Sequence, residues 1–118
     1  MALEDKAREL GRMIGQSDEY RVVTRANEGL AGDTVATAVL RHMEGLRREA
    51  QAMLQRGEEP TEAMENQLDD LLTQVQSNPS YQRVAVAQEN LDKVMRLVND
   101  WISDGISKGA QSSIITIA

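Results

Sequence analysis

Four acids, Glu62, Glu65, Asp69 and Asp70, and a single histidine, His42, are the side chains best suited to hold a metal ion in this 118-residue chain. A di-iron site in a helical bundle draws carboxylates and Glu-x-x-His pairs from facing helices. No Glu stands three residues before His42, so the acids lack their nitrogen ligand. Acids gathered on a helix otherwise mark its solvated face, and His42, beside an apolar stripe, reads as a partly buried structural residue. Arg41, Arg47, Arg48 and Arg56 are the one basic concentration. They would suit an anion, but Asp69, Asp70 and Glu62 fall level with them once the chain folds back, and mutual neutralisation is the better reading. Nucleophilic catalysis has no parts to work with: there is no cysteine and no Gly-x-Ser-x-Gly elbow. Gly29 and Gly32 lack the Lys-Ser/Thr that completes a phosphate loop. The residues assign no catalytic group, no metal and no cofactor.

Composition says what elements must carry the chain instead. Apolar residues make up 41% but aromatics only 3%, with no Phe, which disfavours the pleated faces of sandwiches and barrels. A net charge of −6 disfavours direct nucleic-acid binding, which needs a basic surface. The opening MALEDKAREL carries acids where a signal peptide has basic residues and an apolar run, and no stretch is long enough to span a bilayer. The expectation is a cytoplasmic, single-domain, all-α protein.

The longest element is predicted over Ser80 to Gly109, where Val84, Ala87, Leu91, Val94, Val98 and Trp101 step by three and four. Met95 and Ile102 widen that stripe. At 1.5 Å per residue it would run roughly 43 Å and needs partners along its length. Ahead of it, Leu3, Ala7, Leu10 and Ile14 mark a first helix ending at Gly15. Ser17 caps a second that buries Tyr20, Val23, Ala26 and Leu30. Asp33 caps a third, with Val39, Met43, Leu46, Ala50 and Met53 inward and Gly57 as its stop. After Pro60, Met64, Leu68, Leu71 and Val75 define a fourth, ended by Ser77-Asn78-Pro79. The methionines Met43, Met53, Met64 and Met95 fall on inward stripes and read as core.

Folding the chain at Glu58-Glu59 brings residues summing to about 117 level, so Leu46 meets Leu71, Met53 meets Met64, Arg48 meets Asp69 and Arg47 meets Asp70. A second fold at Asn78-Pro79 sets Leu71 near Ala87 and Leu68 near Leu91. The expected architecture is an antiparallel helical hairpin plus the long C-terminal helix, a three-helix core over 33–110. An N-terminal two-helix arm covers 1–32 and a short tail 111–118. The long helix then outruns the hairpin by roughly 18 Å. Val98, Trp101, Ile102 and Ile106 continue its apolar stripe there, an exposed patch that monomers rarely keep. A second copy covering it makes the chain a two-fold dimer with these four residues at the interface; the competing account folds the N-terminal arm over them.

Glu9-Leu10-Gly11 with Ile14, then Ser17-x-Glu19-Tyr20, resembles the opening of the YlbF/YmcA family of small helical bacterial regulators. Asn78-Pro79 with Tyr81, then Ala87, Leu91, Val98 and Ile102, is similar to its second half. The resemblance implies a non-enzymatic, self-associating regulator that acts through protein partners. Some members form a complex with YaaT that modulates ribonuclease Y and, through it, competence, biofilm formation and sporulation. The complex-forming members are associated with iron–sulfur clusters held by cysteines, which this cysteine-free chain does not carry over. A second class of function, a structural or chaperone-like helical assembly or secretion partner, fits the same residues.

Overall fold

The structure is a computed structural model that describes the backbone of residues 1–117 and the side chains of residues 1–111. Five helices follow one another: α1 (Ala2–Gly15), α2 (Asp18–Ala31), α3 (Thr34–Gln55), α4 (Glu62–Gln76) and α5 (Pro79–Ile117). Among the described residues there is no strand, and the protein is all-α.

Capping explains the boundaries. Ser17 accepts a hydrogen bond from Tyr20 N–H at 3.3 Å, Asp33 from Ala36 N–H at 3.0 Å, and Thr61 from Met64 N–H at 3.2 Å. Each bond satisfies one amide that the first turn of a helix leaves without a carbonyl. α3 ends in a Schellman turn: Glu58 N–H reaches Met53 O at 2.8 Å and Gly57 N–H reaches Leu54 O at 3.0 Å. Gly57 takes φ of +77° there, a left-handed conformation that costs a side chain its clearance.

The hairpin of α3 and α4 is present, and its apolar stripes meet. Met43, Leu71 and Val75 are buried together, with Val39, Leu40, Leu46, Leu68 and Tyr81 packed around them. Gln67 Nε2 donates to His42 Nε2 at 3.0 Å across this hairpin. Met43 packs with Leu71 and Val75, with which it sums to 114 and 118, values that bracket the expected register of 117.

The neighbour of α5 differs from the expected one. Ala87 and Leu91 are buried with Val23, and Ala26 packs beside them, so α2 rather than α4 lies along the long helix. α4 packs its stripe of Leu68, Leu71 and Val75 with α3, and α5 packs Ala87 and Leu91 on the apolar face of α2. The core is therefore two clusters on two helix pairs, not a continuous three-helix core.

The pairs join where their turns meet. Asn78 Nδ2 donates to Asp33 Oδ2 at 3.2 Å, while Asn78 Oδ1 accepts from Tyr81 N–H at 3.1 Å. Asp33 caps α3 and Asn78 starts α5, so one bond ties the two turns. The amide of Ala36, then the side chains of Ser80 and Asn78, hold the Asp33 carboxyl below its ordinary acidity range.

α5 is longer than expected. Its 39 residues give about 58 Å of helix, continuing through Gly105 and Gly109. The backbone of the expected tail, 111–118, is helical through Ile117. Its side chains from Ser112 onward, and residue Ala118, lie outside the described residues.

Candidate interaction surfaces

α2 has 14 residues and is about 21 Å long, so α5 outruns it by more than half of its own length. Among the described side chains Val98 is the last buried residue of α5, and every one from Asn99 to Gln111 is exposed. Trp101 is 64% exposed, Ile106 67% and Ile102 46%. Of the four residues expected at an interface, three stand in solvent on one stretch of helix. Val98, at 6%, is instead buried within its own chain, at the point where the covered part of α5 ends.

The N-terminal arm does not cover this stretch. α1 contributes no buried residue; Leu10 and Ile14 are half-buried near its end, while Leu3 and Met13 are exposed. The turn that sets its direction is well bonded. The Ser17 hydroxyl donates to Ile14 O at 2.6 Å as well as capping α2, and Gln16 N–H is shared between Arg12 O and Met13 O. α1 thus leaves α2 as a defined, amphipathic and unpartnered helix.

The surface area states the same imbalance. The chain exposes 9016 Å², whereas a compact monomer of 13.1 kDa exposes about 6,400 Å². Its radius of gyration is 22.0 Å, against about 13.5 Å for a compact domain of this length. An excess of about 2,600 Å² per chain, or about 5,200 Å² for two chains, lies at the upper end of what obligate dimers bury in total.

A second surface escaped the sequence reading. An open groove of about 620 Å³ runs between α2 and α5, lined by Val22, Ala26, Val86 and Ala87 and flanked by Arg25 and Arg83. Val22 and Val86 are exposed valines one position off the inward stripes. That doubling of valines, Val22-Val23 on α2 and Val84 with Val86 on α5, was the available signal.

The chemistry-bearing residues are spread over the surface. Glu62, Glu65, Asp69 and Asp70 are exposed on α4. His42, expected to be partly buried, is exposed because it faces the polar flank of the hairpin and Gln67. The expected neutralisation of Arg47 and Arg48 by Asp70 and Asp69 is replaced by pairing along the chain: Arg48 binds Glu44 and Arg56 binds Glu58, each at 3.4 Å. Arg48 and Glu44 lie one turn apart on α3, and such a partner costs less side-chain ordering than one across the hairpin. Among the described residues, no group of His, Cys, Asp and Glu is placed to hold a metal ion, and no helix is long and apolar enough to cross a membrane.

Comparison with known proteins adds a family. The family described as "Control of competence regulator ComK, YlbF/YmcA" matches residues 3–107. The UPF0342 proteins SSU05_1260 and SSU98_1275 of Streptococcus suis (strains 05ZYH33 and 98HAH33) are each 36% identical to the chain over 75 residues. That stretch covers 64% of this chain and 67% of each relative.

Proposed function

This chain belongs to the YlbF/YmcA family, and from that premise we propose that it is a non-enzymatic regulatory protein that self-associates and works by binding other proteins. The family description, control of a competence regulator, supports a regulatory role. The observation that carries the interaction reading is the uncovered end of α5, where Trp101, Ile102 and Ile106 face solvent on a helix with no neighbour. Tryptophan is among the residue types that most commonly anchor interfaces. A two-fold dimer, the commonest soluble assembly, places these three at the interface and Val98 beside it. The proposal includes partners of the family type, YaaT-like proteins and through them ribonuclease Y.

Affinity purification of the full chain from its native cell, with identification of what co-elutes, tests the role. RNA-processing proteins in stoichiometric amounts are the expected result. Secretion or envelope proteins in their place would overturn it in favour of a structural or chaperone-like helical partner.

A further inference from the structure

We infer that α1 of a second copy of this chain lies antiparallel on the uncovered end of α5, so that two chains exchange their N-terminal helices. The inference rests on the self-association proposed above and names what covers the surface.

The spacing of the two helices carries it. Read backwards, Leu10, Ala7 and Leu3 step by three and four; read forwards, Ile102, Gly105 and Gly109 do the same. In antiparallel order the paired residues sum to 112. Val23 of α2 packs between Ala87 and Leu91, with which it sums to 110 and 114. The incoming helix therefore continues along α5 the register that α2 sets. Sizes alternate as close packing requires, with Leu10 against Ile102, Ala7 beside Gly105 and Leu3 beside Gly109. A Cβ added at Gly105 would meet nothing within 4 Å in the single chain, so the space a neighbouring helix would enter is open.

The flanks agree with the stripe. On the side of α1 carrying Met13 and Lys6, the antiparallel arrangement presents Leu97, Trp101 and Asp104 of α5. Met13, Leu97 and Trp101 are exposed large apolar residues, and they fall on one side of the joint. The chain's own α1 carries no buried residue and leaves every side chain from Asn99 to Gln111 exposed. Two reciprocal contacts of this kind also fit the area: the excess surface of two chains together, about 5,200 Å², lies at the upper end of what an obligate dimer buries in total.

The chain contains no cysteine, so introduced thiols are unique. Lys6→Cys and Asp104→Cys are surface changes, each replacing a residue whose ion pair lies within its own helix. The two single-cysteine chains are mixed in equal amounts and treated with a short bis-maleimide. The expected product is a covalent dimer formed at least tenfold more in the mixture than from either chain alone. Three results would overturn the inference while leaving self-association intact. These are efficient cross-linking of Asp104→Cys chains with one another, an intramolecular cross-link in a chain carrying both changes, and no cross-link from a protein whose mass by light scattering is that of two chains. A native protein with the mass of one chain would defeat the exchange and the self-association together.

Discussion

Two separate clusters make a different prediction for paired mutations than one continuous core does. Leu71 packs with Met43 and Val75 between α3 and α4, while Leu91 packs with Val23 and Ala87 between α2 and α5. Each is under a tenth exposed, so truncating either to alanine should cost about 2–5 kcal/mol, the lost transfer of buried methyls plus the cavity left behind. Because they share no partner, Leu71→Ala and Leu91→Ala should add to within about 0.5 kcal/mol. Met43→Ala with Leu71→Ala, in one cluster, should instead couple by about 0.5–3 kcal/mol. A chain of this length has about 6–18 kcal/mol in total, so the double variants need an osmolyte such as sucrose to keep a folded baseline. Urea titration at one fixed protein concentration gives all the values, since assembly makes stability concentration-dependent. Strong coupling between Leu71 and Leu91 would refute the two-cluster core and restore α5 to the face of α4.

Further outcomes follow from single residues. Asp33 is held below its ordinary pKa by hydrogen bonds to its charged form, so it adds stability above its unfolded pKa and loses it as pH falls through the folded value. Thermal midpoints measured from pH 6 down to pH 2 should therefore drop more below about pH 4 in the native chain than in Asp33→Asn, which keeps a capping oxygen but cannot titrate. Gly57→Ala should cost about 1–2 kcal/mol in urea titration, because alanine must be forced to a φ of +77° although open space surrounds the Cβ. An unchanged midpoint would mean that the α3–α4 turn closes another way.

Most of the helices were legible in the residues. Ser17 and Asp33, each followed by an apolar-periodic run, marked two starts, and Gly57 marked an end, because capping is local chemistry that a short window contains. The all-α class followed equally from spacing and from the scarcity of aromatics. Which helices pair was harder. The stripes of α2, α3, α4 and α5 share one period, so Leu68 and Val23 offered α5 similar faces. Which of the two faces α5 takes is a tertiary matter that periodicity does not contain. The length of α5 was understated because the expected helix stopped at Gly109, although that glycine does not take the left-handed turn that ends a helix as Gly57 does. The uncovered end of α5 was visible as an apolar stripe outrunning its neighbour. Val98 is buried within its own chain at the edge of that end, since the stripe itself does not say where cover ends.

The central claim is that Trp101, Ile102 and Ile106 make this chain an assembly. Size-exclusion chromatography with light scattering at tens of micromolar measures it directly. The native chain should elute with twice the 13.1 kDa chain mass. Trp101→Glu, which sets a charge on an exposed helical position, should return it to a single chain with its helical circular dichroism retained. A native protein already at 13.1 kDa would contradict the account and leave the end of α5 free for a partner other than itself.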